Sequence, residues 1–376
     1  MDCAQSKPKT PAKNYHCVQA LRAVAAGMVV LHHSITAWLD WVVRRPGAHQ
    51  WGNGAAGVDI FFAISGFVMA ISLPGLAGKS NKAGVFLWRR FTRIVPLYWG
   101  ATTLKLVLLK LRPAGGAGAP VLTPWRIAAS YLFIPARNWK GEMFPVMDAG
   151  WTLNYEVFFY LLFAAALALN ISPLAFLTPC LTAVALLGMA RPASWPDATS
   201  LASPLVIEFL YGVILAHLAM RRKLPGNFSA AILLVGGFLT LLIMPQTSAE
   251  WRFIPWGVPA AAIVAGAVAL EGKLGSLMPK WLLEAGDASY ALYLVHTLLL
   301  PLIGSVVGRF HLKGPVGLAA VITLGMGISL PAAVLVHRLV EKPLIALLKK
   351  KRQAEAKDAD SVSLLAGGAA TGKATS

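Results

Sequence analysis

Apolar stretches of about 18 residues or more recur along the chain, and this recurrence constrains the possible folds more than any other feature. The chain has 376 residues, of which 57% are hydrophobic and 13% are charged. A soluble fold of such a sequence would leave large apolar surfaces uncovered. The sequence therefore predicts an all-α, polytopic integral membrane protein with about ten transmembrane helices. The predicted segments lie near residues 17–38, 55–73, 93–111, 150–169, 172–190, 202–220, 228–245, 253–270, 286–307 and 316–337.

The positive charges are distributed at the ends of these segments. An even number of crossings places both termini on one side of the membrane, and most of the 34 Lys and Arg residues fall inside when that side is the cytoplasm. The net charge of +18 is therefore read as membrane topology, and no nucleic-acid binding is predicted. We predict a cytoplasmic N-terminal segment (1–14), a transmembrane domain (15–348) and a disordered cytoplasmic tail (349–376).

The cysteines support neither a disulfide framework nor a metal site. Cys3, Cys17 and Cys180 are scattered and odd in number, and none of them belongs to a CxxC motif. The first apolar segment lacks a clear cleavage site, so we interpret it as a retained helix.

The first segment carries Arg22 and His33 in a mostly apolar stretch, "LRAVAAGMVVLHHS" (21–34). An α-helix rises 1.5 Å and turns about 100° per residue, so the two side chains are separated by ~16 Å but by only ~20° of rotation. Both are therefore predicted on one helix face, half a bilayer apart. Ionisable groups inside a membrane are costly and are usually functional. A structural interpretation also stays open, in which Arg22 reaches the headgroups and His33 bonds a neighbouring helix.

A second basic cluster, in "FLWRRFTRIVPLYW" (86–99), precedes the third segment. Arg90 lies three residues before Arg93 and Arg89 lies four residues before it, so all three can share one helix face. Guanidinium groups bind phosphate oxygens in a bidentate manner, which favours an anionic cytoplasmic ligand. The alternative is that these charges only direct membrane topology.

Further polar residues lie within the other apolar segments. A buried carboxylate must be paired or protonated, so Glu156 is predicted to orient an imidazole, to hold a sugar hydroxyl or to form an interhelical salt bridge. His296 is either a polar lining group or a satisfied interhelical contact. The candidates are Asp59 in "GVDIFFAISGF" (57–67), Asn154 and Glu156 in "GWTLNYEVFFY" (150–160), and Tyr290 and His296 in "DASYALYLVHTLLL" (287–300).

Taken together and in this order, these blocks resemble the acyltransferase 3 family of integral membrane O-acyltransferases. The arginine followed by a histidine on the first helix looks like that family's signature, with "LHH" where "LFH" is common. The resemblance covers roughly residues 15–345, and "GWTLNYEVFFY" with "YLFIP" (131–135) is similar to rhizobial-type exopolysaccharide acetyltransferases. Such a resemblance implies a multi-pass protein of the bacterial cytoplasmic (inner) membrane.

The resemblance also implies the substrates and the residue roles. The donor would be acetyl-coenzyme A from the cytoplasm, and the acceptor a polysaccharide or lipid-linked oligosaccharide at the outer face, with no metal. Arg89, Arg90 and Arg93 would bind the cofactor phosphates. His33 would act as general base or transient acyl carrier, with Arg22 and Glu156 as catalytic partners. Acceptor binding is assigned to Asp59, Asn154, Tyr290 and His296.

Two other function classes compete with this interpretation. A transporter or flippase of a lipid-linked saccharide would use Glu156, His33 and His296 as a proton relay, and would predict broken helices at matching places in two halves of the chain. A non-enzymatic membrane scaffold gives no reason for an arginine and a histidine aligned on one helix. The identity of the sugar, the length of the acyl group and the oligomeric state are left open by the sequence.

Overall fold

The computed structural model describes residues 15–45, 52–111, 122–192, 194–245, 248, 250–312 and 314–353. Every regular element in these ranges is helical, which confirms the all-α prediction. The α-helices are α1 (His16–Ala37), α2 (Gly57–Ile71), α3 (Lys82–Lys110), α4 (Pro124–Tyr131), α5 (Gly150–Ala168), α6 (Pro173–Ala190), α7 (Ile207–Met220), α8 (Asn227–Ile243), α9 (Gly257–Ala269), α10 (Glu271–Leu274), α11 (Lys280–Asp287), α12 (Ser289–Arg309) and α13 (Gly314–Val336).

Short 3-10 and π-helical turns extend or connect these helices. A π-helical turn, Trp38–Val43, continues α1, and a second one, His337–Glu341, continues α13. The 3-10 turns are Asn53–Ala56, Leu73–Leu76, Asp197–Leu201, Pro204–Val206 and Gly275–Leu277.

A helix occupies each of the ten predicted segment positions, but not all of these helices meet the criteria for a membrane span. Within the described ranges, six are long and apolar enough to cross a bilayer, or seven if α9 and the segment Glu271–Leu277, bent by 54° from it, form one span. The six spans begin at His16, Asn53, Gly150, Pro173, Ser289 and Gly314. Several crossings are enough to make the chain a multi-pass membrane protein.

The ends of two helices differ from the predicted boundaries. α3 begins at Lys82 instead of residue 93, because the Asn81 side chain accepts a hydrogen bond from the Gly84 amide and caps the helix. The last helix continues to Gln353, so residues 349–353 are helical and not disordered, as expected of lysine- and arginine-rich sequence with good helix propensity. The predicted segments 1–14 and 354–376 lie outside the described residues.

Helix α1 lies inside the bundle, where it packs against α2, α11, α12 and α13. α2 packs in turn on α7 through two glycines. A β-carbon on Gly66 would lie 2.0 Å from the Phe209 carbonyl oxygen, and one on Gly212 would lie 2.0 Å from the Ala63 carbonyl oxygen. Only glycine allows this approach, which is typical of membrane helix pairs. The close packing holds α2 beside α1 and so positions the face that carries Ser65.

Candidate active site

A large cavity of about 1390 Å³ opens beside the N-terminal half of α1. This volume exceeds the ~300–1,000 Å³ typical of ligand pockets, so a cofactor-sized molecule can enter. We call it the guanidinium cavity, because four arginines from two helices line it: Arg22 from α1, and Arg89, Arg90 and Arg93 from α3. The three α3 arginines therefore line this cavity together, as their predicted position on one helix face requires.

None of these four guanidinium groups forms an ion pair with a carboxylate of the described residues. Arg22 donates to the Gln19 side chain over 3.1 Å, and Arg90 donates to the Ser72 hydroxyl over 3.4 Å and lies against the Phe86 ring. Positive charge therefore converges on a cavity whose described lining residues include a single carboxylate, that of Glu156. Guanidinium groups that line a cavity and form no ion pair are suited to bind a polyanionic ligand such as a phosphate ester.

Glu156 lines the same cavity but does not contact His33. Its carboxylate accepts hydrogen bonds from the Ser65 hydroxyl at 3.0 Å and from the Tyr160 hydroxyl at 2.5 Å. The proposal that Glu156 fixes the His33 tautomer is wrong in this structure, because these two hydroxyls hold the carboxylate elsewhere. As the only carboxylate lining the guanidinium cavity among the described residues, Glu156 faces the arginines instead.

A second, smaller cavity of about 210 Å³ lies beside the C-terminal half of α1 and contains His33. We call it the histidine chamber. The His33 side chain is exposed to it, and the Nδ1 atom lies 2.9 Å from the Val29 carbonyl oxygen. A carbonyl oxygen can only accept, so Nδ1 carries the proton and the Nε2 lone pair is left available. The backbone of α1 thus sets the tautomer that a general base requires.

His296 lies next to His33 in the wall of the histidine chamber. The two ring centroids are 5.0 Å apart, and His296 donates from Nδ1 to the Leu292 carbonyl oxygen over 2.8 Å. His296 is fully buried, and its Nε2 atom has no hydrogen-bond partner among the described residues. Of the two imidazoles, that of His33 is exposed, whereas that of His296 is covered by its neighbours in the chamber wall.

Tyr293 is the one side chain that lines both cavities in the described part of the chain. Its hydroxyl bonds the Thr152 hydroxyl at 2.9 Å, and its ring packs against Phe61 and His296. The Tyr293–Thr152 pair therefore forms the wall between the arginines and His33. A group that passes directly from one cavity to the other therefore meets this side chain.

Asp59 lines neither cavity, although the sequence assigns it to acceptor binding. Its carboxylate is fully buried and bound by Arg252 at distances of 2.6, 2.9 and 3.2 Å. Arg252 also donates to the Ala55 carbonyl oxygen and stacks on Trp256. The Asp59–Arg252 ion pair thus links the loop before α9 to the start of α2.

We expect Asp59→Asn to destabilise the protein by ~3–5 kcal/mol, because it leaves the Arg252 charge buried without its partner. The matched control is Asp197→Asn, which breaks the Arg137 ion pair, with side-chain exposures of 42% and 33%. That change should cost only ~0–1 kcal/mol, because both charges keep contact with water. Unfolding of the purified protein in detergent micelles measures both changes. Equal stability losses for the two variants would contradict the expectation.

The remaining predicted site residues are divided between cavity and core. Tyr290 lines the guanidinium cavity, and its hydroxyl donates to the Ile94 carbonyl oxygen over 2.6 Å. Asn154 is buried and lines neither cavity.

From the sequence, no role was assigned to Tyr293 or to Asp148, which lines the histidine chamber. Both residues lie within or beside quoted blocks, but only the fold shows which cavity they face.

The chain is similar to known acyltransferases over most of its length. The profile of the acyltransferase 3 family, described as an acyltransferase domain, matches residues 15–338. The exopolysaccharide production protein ExoZ of Rhizobium meliloti is 32% identical over 315 residues, which cover 81% of this chain and 93% of that protein. The acyltransferase MdmB of Streptomyces mycarofaciens is 26% identical over 334 residues, 80% of this chain and 83% of that protein. No solved structure matches the chain.

Proposed function

Because this chain belongs to the acyltransferase 3 family, we propose that it transfers an acetyl group from acetyl-coenzyme A to a polysaccharide hydroxyl. The similarity to an exopolysaccharide production protein supports a cell-surface or lipid-linked glycan as the acceptor. The observation that carries the proposal is the arrangement along α1. On opposite sides of a single side-chain wall lie guanidinium groups and an imidazole Nε2 that the described residues leave without an ion pair or a hydrogen bond, respectively.

The proposed topology has about ten spans in a bacterial inner membrane, with both termini in the cytoplasm. The membrane domain is assigned to residues 15–348. A helix at each of the ten predicted positions supports this arrangement. The guanidinium cavity then opens toward the cytoplasm, where acetyl-coenzyme A is made, and the histidine chamber toward the acceptor.

Coenzyme A is proposed to bind with its phosphates on Arg89, Arg90 and Arg93. The four guanidinium groups form no ion pair with a described residue and provide the charge that these phosphates require. The narrow pantetheine arm would extend past Arg22 toward Tyr293, along the face of α1 that the two cavities share. Arg22 is placed to stabilise charge that develops on the donor.

His33 is proposed to act as general base through Nε2. It takes the proton of the acceptor hydroxyl while that oxygen bonds to the acetyl carbonyl carbon. The carbon–sulfur bond then breaks, and the coenzyme A thiolate takes the proton back from the imidazolium. Proton transfer by a positioned histidine contributes typically ~100–10,000-fold to the rate.

We expect Tyr293→Phe to raise acetyl-coenzyme A hydrolysis in the absence of acceptor. The change removes the bond to Thr152 that holds the wall closed, and a hydrogen bond of ~0.5–1.5 kcal/mol corresponds to about 2–10-fold. The matched control is Tyr155→Phe, whose hydroxyl bonds the Ser200 carbonyl outside both cavities. Coenzyme A release by the purified variants measures the effect. A similar rise in the control, or none in Tyr293→Phe, would contradict the proposed wall.

The proposed function is tested by the acetyl-ester content of surface polysaccharide in strains with and without the gene. We expect the esters to disappear on deletion and to return with the wild-type gene. Mass spectrometry of the isolated glycans also identifies the modified sugar. Unchanged ester content in the deletion strain would overturn the function, and loss of glycan export with normal acetylation of the remainder would indicate a flippase.

A further inference from the structure

The histidine chamber has a lining that the donor chemistry does not use. Three aromatic side chains, Trp41, Phe144 and Trp151, face it together with the carboxylates of Asp40 and Asp148. They come from the π-helical turn after α1 and from the region around the start of α5. Trp41 is 39% exposed although it packs over Gly304 of α12, so part of its ring is open.

The buried Nε2 atom of His296 is an independent sign of a ligand at this place. It lies in the chamber wall, is fully buried, and has no partner among the described residues. Buried polar atoms are rarely left unsatisfied, so a hydroxyl in the chamber would complete its hydrogen bonding. The His33 side chain lines the same space.

We infer that the histidine chamber is the acceptor subsite and that it binds one neutral, hydroxyl-rich sugar ring. This inference rests on the proposed function and names the substrate class of the same site. Indole rings offer flat apolar faces to the C–H face of a sugar, and carboxylates accept hydrogen bonds from its hydroxyls. At ~30 Å³ per water, the chamber of about 210 Å³ holds roughly seven waters, which is comparable to one monosaccharide ring.

The charges in the chamber select against an acidic sugar. Asp148 is paired with Lys105 over 2.6 Å, whereas Asp40 forms no ion pair with the described residues. A uronic acid would bring its carboxylate beside Asp40, and such like-charge juxtaposition disfavours binding. A neutral ring meets no such repulsion.

Saturation-transfer NMR on the full-length protein in lipid nanodiscs tests the subsite without sugar-based detergents. The probes are methyl β-D-glucopyranoside and its uronate analogue, methyl β-D-glucopyranosiduronate. We expect saturation transfer to the neutral glycoside and a much weaker signal from the uronate. Equal or stronger transfer to the uronate, or no transfer to either glycoside, would overturn the inference.

Variants of the chamber locate the binding. Trp41→Ala and Asp148→Asn should each lower the signal of the neutral glycoside, and in cells Trp41→Ala should lower glycan acetylation by about 10-fold or more. Trp41→Phe keeps an aromatic face and should retain most binding. The control Trp125→Ala, with 59% exposure and a position outside both cavities, should behave as wild type. Full binding in both Trp41→Ala and Asp148→Asn would place the sugar elsewhere.

Two further measurements separate recognition from other effects. Lys105→Met removes the ion pair but keeps the Asp148 carboxylate, so glycoside binding should persist; loss of binding equal to that of Asp148→Asn would overturn the role of the carboxylate. Acetyl-coenzyme A affinity should stay within about 2-fold in all chamber variants, because the donor binds across the Tyr293 wall. If the wild-type protein acetylates no glycan, the proposed function fails, whereas the glycoside measurements still decide the subsite.

Discussion

Replacing His33 with Ala is expected to lower acetyl transfer by at least ~100-fold, because the reaction would then lack the proposed general base. The exposed position of His33 and its Nδ1 bond to the Val29 carbonyl leave Nε2 available in the histidine chamber. Affinity for acetyl-coenzyme A should be unchanged, since the donor phosphates are proposed to bind in the other cavity. Acetylated product per unit of purified protein, with acetyl-coenzyme A as donor, measures the loss.

His32 provides the matched control for this experiment. It is the neighbouring residue, and its ring packs edge-on against His33, but it lines neither cavity. His32→Ala should therefore keep most of the activity. His33→Ala protein that inserts normally and still transfers acetyl groups at a substantial rate would rule out His33 as the base. Equal losses in both variants would indicate that the helix end, and not the imidazole, is required.

The helical parameters alone predict the main feature of the site. A rise of 1.5 Å and a turn of about 100° per residue place Arg22 and His33 on one face of α1. The structure places each of them in a cavity on that face, with Tyr293 between the cavities. The spacing of Arg89, Arg90 and Arg93 likewise predicts a common face. Periodicity is a local property, so residues of one helix can be oriented without knowledge of the fold.

Partners from distant parts of the chain could not be predicted in this way. Asp59 belongs to a block that suggests a substrate contact, yet it is neutralised by Arg252, a residue far along the chain. Glu156 was expected near His33, but the hydroxyls of Ser65 and Tyr160 hold it beside the arginines. Charge pairing depends on which helices become neighbours in the fold. The hydropathy pattern of the sequence does not indicate these neighbours.

The lining of the histidine chamber could not be predicted from the sequence either. Trp41 and Asp148 lie outside the regular helices, in a π-helical turn and in the loop before α5. The amphipathic periods that identify helices do not extend into such segments. Their convergence on His33 becomes visible only after the end of α1, the start of α5 and the middle of α12 are brought together.

The second large effect is expected from removing two of the cavity arginines. Arg90→Met combined with Arg93→Met should weaken acetyl-coenzyme A binding by about 10-fold or more per arginine, since hydrogen bonds to charged groups contribute ~1.5–3 kcal/mol each. Arg93→Lys keeps the charge but loses the planar fork, so it should have an intermediate affinity. Isothermal titration of the purified proteins with acetyl-coenzyme A measures all three affinities.

The control for this pair must remove the same charge from the same kind of position. Arg221 and Lys223, exposed just after α7, flank an apolar helix but line neither cavity. Arg221→Met with Lys223→Met should therefore leave the affinity unchanged. If the α3 variants bind acetyl-coenzyme A normally and instead invert the orientation of the protein, measured by labelling of engineered cysteines, the arginines are topological signals. Weaker binding with the orientation preserved, together with unchanged binding in the control, would support a role of these arginines in holding the donor, because the control removes equal positive charge.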